Sequence, residues 1–197
     1  MTGRKVLCSI ILVLSGLFMN ACATTELTSV WKNETYQGGP LRKILIIGVD
    51  RNQEMKRLLE NEFVLQLKAK GTDAVPSHTV LPEDTILEKA MIAAKISELR
   101  IDSVLITTLV DVKETEAYES STFLDPPGFY GYYMQCCYNV MSGYNVEIET
   151  RIFDAPYDTL IWSALSATVL ERAREETIKS YITSIVSELQ NTKLLRP

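Results

Sequence analysis

The block Ile44-Leu45-Ile46-Ile47, with Arg42-Lys43 before it and Gly48-Val49 after it, constrains the fold more than any other stretch. Four aliphatic residues in a row, with no polar alternate, suit a strand buried on both faces. Such a strand needs cover above and below, which is the α/β layout. The flanking sequence provides it. From Glu54 to Lys70, Met55, Leu58, Leu59, Phe63 and Leu67 recur at three- and four-residue steps, the period of a helix, and Gly71 closes it. A short strand over Thr72–Val75 follows and ends at Pro76. Pro82-Glu83-Asp84 opens a second helical stretch to about Leu99, and Ser103–Val112 is again β-branched and apolar. Strand, helix, strand, helix, strand predicts parallel strands joined by right-handed crossovers.

The second half has a different grammar. From Asn145 to Phe153 the chain alternates, with Val146, Ile148, Thr150 and Ile152 against Asn145, Glu147, Glu149 and Arg151. That is a strand with one wet face. Asp154-Ala155-Pro156-Tyr157-Asp158 is a turn cluster, and Leu160–Val169 returns as a strand carrying Trp162, so the pair should form an antiparallel hairpin. Glu175 to Gln190 reads as a last helix, with a stripe of Ile178, Ile182, Ile185, Val186 and Leu189. The expected fold is α/β, with a mixed sheet of about five strands, the order β-α-β-α-β-insert-β-β-α, and helices packed on the sheet. It forms a single domain over 41–197.

Before this domain the chain begins with Arg4-Lys5, an apolar run from Val6 to Met19, and Asn20-Ala21-Cys22-Ala23. A positive start, an apolar middle and a small residue at the cut are the layout of an export signal. The run is shorter than the ~20 residues of a spanning helix. Met19-Asn20-Ala21-Cys22 resembles the bacterial lipobox. That resemblance implies a signal peptide over 1–21, cleavage before Cys22, and acyl chains on Cys22 that hold the protein on a membrane. Ala23, rather than Asp, resembles outer-membrane sorting. Residues 22–40 read as the lipidated cysteine and a polar tether, with Trp31 docked on the domain. Removal of 1–21 takes away Arg4 and Lys5 and no acid, so the net charge of −5 becomes more negative. An acidic chain lacks the basic footprint of a nucleic-acid binder.

The insert at 113–144 interrupts the pattern. Half of the chain's aromatic residues fall between Tyr118 and Tyr144. Phe129, Tyr130, Tyr132, Tyr133 and Tyr138 are candidate partner-binding residues, because tyrosine offers broad contact and a polar tip at low entropic cost. Two other arrangements stay open. The rings fold back over one sheet face to complete the core, or the insert lengthens the flanking strands. Cys136-Cys137 lies within it, as a redox pair, a site of intermolecular disulfide, or two thiols without a role.

Catalytic chemistry has few footholds. His78, the one histidine, follows the second strand in Pro76-Ser77-His78-Thr79, and the chain has no nucleophile elbow. The carboxyl ends of the first three strands carry Asp50, Ser77 with His78, and Asp111, where open α/β sheets favour ligands. No glycine-rich phosphate loop follows the first strand, and Asp50 reads as a turn former or cap. No metal site or cofactor is expected, since two adjacent cysteines and one histidine make a poor zinc set.

The signal, Cys22, polar segment and element order, with Phe153-Asp154-Ala155 leading to Leu160-Ile161-Trp162, resemble a broad group of small envelope lipoproteins. Similar orders occur in the lipoprotein activators of peptidoglycan synthases, the curli secretion lipoprotein and the amino-terminal domain of the Tol translocation protein. The resemblance implies a non-enzymatic binding or assembly factor, lipid-anchored in the envelope, with an envelope protein or peptidoglycan as partner. A homo-oligomeric structural subunit is the alternative, and a hydrolase using His78 a third reading.

Overall fold

In a computed structural model of the chain, the described residues are 25–50, 52–82, 88–111, 128–131, 133, 146–168 and 174–196. Strands β1 (Thr25–Lys32), β2 (Lys43–Val49), β3 (Asp73–Pro76), β4 (Ser103–Asp111), β5 (Val146–Asp154) and β6 (Thr159–Thr168) form one sheet in the order β1-β6-β5-β4-β2-β3. Helices α1 (Gln53–Ala69), α2 (Lys89–Leu99) and α3 (Arg174–Asn191) and a single 3-10 turn (Ser77–Thr79) are the other regular elements among the described residues. Strands β3, β2 and β4 run parallel, whereas β4, β5, β6 and β1 pair antiparallel. This is the mixed α/β sheet that the periodicities predict, with one strand more.

The added strand is β1, in the stretch read as tether. It pairs with β6 from Thr25↔Thr168 to Lys32↔Trp162, with an irregularity between Leu27 and Ser29. Its side chains are mostly exposed, so no apolar alternation marks it. An edge strand needs only one row of backbone hydrogen bonds, and threonine, valine and tryptophan suit the pleat.

Helix boundaries follow local chemistry. Asn52 caps α1, its side-chain oxygen accepting from the N–H groups of Glu54 at 2.9 Å and Met55 at 3.2 Å. Gly71, at φ +77°, ends the same helix, and Thr72 N–H donates to the Leu67 carbonyl.

The sheet has two covered faces. On one, α1 and α3 bury Ile44, Ile46, Leu105, Ile152 and Trp162 beneath Phe63, Ile182 and Ile185. Phe63 and Tyr181 meet edge to face, with centroids 6.0 Å apart. On the other, Leu45, Ile47, Val104, Ile106 and Phe153 lie under Ile92 of α2 and under Phe129 and Tyr133 of the insert. Strand β2 carries an unbroken apolar run because both of its faces are core.

Candidate functional site at the carboxyl end of the sheet

Strands β2, β3, β4 and β6 end at the same edge of the sheet, where α1 and α3 begin. Thr25, the start of β1, is registered there too, opposite Thr168. Gly48 lets α1 come close. A Cβ on it would meet Leu59 Cδ2 at 3.3 Å. Between the first turns of α1 and α3 lies a crevice of about 230 Å³. Val49, Met55, Leu59, Ile148 and Ile178 give it apolar walls. Thr107 reaches it from β4 and Lys56 from α1.

A buried carboxylate sits beside this crevice. Glu60 is fully buried, and both of its oxygens are engaged. Oε1 accepts from Gly48 N–H at 2.9 Å and from Ser77 Oγ at 2.6 Å. Oε2 accepts from His78 N–H at 3.0 Å and lies 2.7 Å from His78 Nδ1. A carboxylate only accepts, so that ring nitrogen carries the hydrogen. Lys56 Nζ approaches Oε1 no closer than 4.0 Å, with its side chain 11% exposed. Four donors thus hold Glu60, and the ammonium stands near its charge without a hydrogen bond to it.

Behind Thr107, the fully buried Tyr181 Oη shares hydrogen bonds with Thr107 Oγ1 at 2.8 Å and with Thr150 Oγ1. Burial pushes the Tyr181 hydroxyl up to about 12, against the lowering pull of both threonines.

The residues singled out from sequence fall in three groups. Ser77 and His78 do stand at the carboxyl end, and Glu60 joins them to α1. Ser77 Oγ donates to Glu60 rather than to His78, so the two do not form a nucleophile–base relay. Asp50 accepts from Asn52 N–H at 2.7 Å, the turn-forming role expected of it. Phe129 and Tyr133 are buried in the second core, and Tyr130 is half-buried with its ring 6.4 Å from that of Tyr133. For these rings the fold-back arrangement is the one adopted. Phe129 N–H is bound by the Asp158 carboxylate in the β5–β6 turn, and a Cβ at Gly128 would strike that same carboxylate. Cys22, Tyr132, Cys136, Cys137 and Tyr138 lie outside the described residues.

Sequence reasoning missed Glu60 and Lys56. A signal was present, since Glu60 lies three residues before Phe63 and seven before Leu67, on the apolar stripe itself. An acid at a core position calls for a buried partner.

No protein-family model matches the chain, and no curated protein matches it. Two solved structures are similar in arrangement. One is a point-substituted PelC dodecamer from Paraburkholderia phytofirmans, at 12% identity, covering 82% of this chain and 98% of that chain, with a TM-score of 0.46. The other is the PelC dodecamer from the same organism in a second crystal form, at 13% identity, covering 82% and 96%, also at 0.46. Nothing about this chain's site follows from a likeness at that level.

Among the described residues no group of three or more His, Cys, Asp and Glu side chains could hold a metal ion, and no helix is long and apolar enough to cross a membrane.

Proposed function

We propose that this protein is a membrane-anchored envelope lipoprotein acting as a non-enzymatic binding or assembly factor, held at the periplasmic face of the outer membrane through lipid on Cys22. The observation that carries the reading is the position of β1. Only Ala23 and Thr24 separate Cys22 from the first residue of that strand. Three residues span at most ~10 Å, so lipid on Cys22 would hold the domain directly against the bilayer. The end nearest the membrane would be the carboxyl end, with the crevice and both roots of the insert. Such a protein works on partners at the membrane surface rather than reaching through the wall to peptidoglycan at a distance. The fixed engagement of Ser77 with Glu60, and of His78 with the same carboxylate, supports a structural use of that cluster.

Incorporation of an alkyne-bearing palmitate, followed by membrane fractionation, tests the anchor. Labelling and membrane association are both expected to disappear in Cys22→Ser. A variant that stays in the membrane fraction without the label would overturn the reading.

A homo-oligomeric subunit is the second reading, favoured by the other edge of β1. Among the described residues it pairs with no further strand, and Val30 and Trp31 are 41% and 36% exposed. An eight-residue edge with apolar side chains is a template for strand addition. Light scattering of the lipid-free chain distinguishes the two. A defined oligomer that becomes monomeric on Val30→Lys supports the second, and a monomer throughout removes it.

A further inference from the structure

We propose that the crevice at the carboxyl end binds the carboxylate end of a long-chain fatty acid, with Lys56 as its counter-ion. The site goes beyond the anchoring role and does not depend on it. Three features argue for this ligand chemistry.

The first is shape. The crevice volume of about 230 Å³ exceeds the ~150 Å³ of an engineered apolar cavity that accepts benzene. A bent chain segment of several methylenes fits such a space. The second is the lining. Val49, Met55, Leu59, Ile148 and Ile178 contribute aliphatic groups and a thioether, with Thr107, Thr108 and Thr177 between them. Methionine in particular adapts to flexible apolar ligands.

The third is charge. Lys56 is the single cation lining the crevice among the described residues. Its side chain is 11% exposed, and among the described residues its nearest carboxylate oxygen, Glu60 Oε1, is 4.0 Å away. Glu60 cannot serve it better, because Gly48, Ser77 and His78 already take both oxygens. Among the described residues the Lys56 ammonium has three donors and only a 4.0 Å ion pair with Glu60, so an entering anion would supply a hydrogen-bonded acceptor. Asp50 at the rim is turned onto Asn52 N–H. An apolar body with one anionic end matches five apolar side chains and one lysine. Acyl chains already esterified to a protein or to glycerol lack the free carboxylate that Lys56 calls for.

The experiment uses the full chain carrying Cys22→Ser, so that no attached acyl chain competes. The probes are cis-parinaric acid and its methyl ester, with binding read from probe fluorescence. The wild-type crevice should bind the acid saturably at one per chain. Lys56→Met, which keeps the methylenes and removes the charge, should weaken the acid about tenfold while leaving the ester nearly unchanged. Lys56→Arg should restore the acid. Ile178→Phe, which fills the crevice, should weaken both probes. Urea midpoints of each variant report whether the fold is intact. Absence of saturable binding to the Cys22→Ser chain would overturn the proposal. Equal loss of acid and ester in Lys56→Met would also overturn it, as would full binding in a folded Ile178→Phe variant.

Discussion

The two ends of the sheet are built on opposite principles. At the amino ends of β2 and β4 the chain closes on itself. Asp102 accepts from Arg42 N–H at 2.9 Å and from Lys43 N–H at 3.3 Å, and Leu41 N–H donates to the Leu194 carbonyl at 2.8 Å. Asp158 secures the insert to the β5–β6 turn at the same end. At the carboxyl end, a carboxylate with four donors and a buried tyrosine hydroxyl are fixed by polar contacts, while a crevice with mostly apolar walls stays open between the helix starts. Parallel strands explain the asymmetry. A helix that follows a strand starts at the carboxyl end, and the starts of α1 and α3 leave a gap between them. The amino ends receive chain that has already packed.

The largest test of this contrast is Glu60→Ala. Removing the acceptor leaves Ser77 Oγ, the Gly48 and His78 amides and His78 Nδ1 without it, and Lys56 without its counter-charge. A loss of about 3–5 kcal/mol is expected by urea denaturation. A loss below about 1 kcal/mol would mean the carboxylate does not organise that end.

Tyr181 gives the next effect. Its hydroxyl stays protonated in the fold until about pH 12, while in the unfolded chain it ionises near 10.0. Between those values the unfolded chain binds fewer protons, so stability falls as pH rises. The gap corresponds to on the order of 2–3 kcal/mol. Denaturation midpoints measured from about pH 9 to 12 should show the decline, and Tyr181→Phe should flatten it.

Asp102→Ala probes the closed end. Its ion pair with Arg42 joins side chains 75% and 25% exposed and contributes little. The bonds to the two amides matter more, and their loss should cost about 1–2 kcal/mol with no change at the crevice. Leu65→Gln is the smallest expected effect. Leu65 is 61% exposed on α1, and its replacement should move stability by no more than about 0.5 kcal/mol. A larger change, or an altered oligomeric state, would mark that helix face as covered by a partner.

Much of the architecture was legible because it is local. The aliphatic run at Ile44–Ile47, the steps from Met55 to Leu67, the alternation from Val146 to Ile152 and the turn after Asp154 each declare their element within a few residues. Gly71 closes α1 where its backbone freedom was expected to act. The site was less legible. His78 and Ser77 could be placed at a strand end, but their shared partner lies on a helix 17 and 18 residues away. The aromatic cluster could not declare its own burial, since tyrosine and phenylalanine serve equally in a core and at an interface.

By itself the sequence determined the order and type of the elements from β2 onward and the hairpin, because periodicity and turn chemistry are short-range patterns. Tertiary structure alone decided that Thr25–Lys32 joins the sheet, that Phe129 and Tyr133 face inward, and that Glu60 is buried with four donors. It also decided that a crevice with one lysine remains at the carboxyl end. Each of those facts depends on groups far apart in the chain meeting across the sheet, where the gain comes from burial and completed hydrogen bonds rather than from the preference of any one segment.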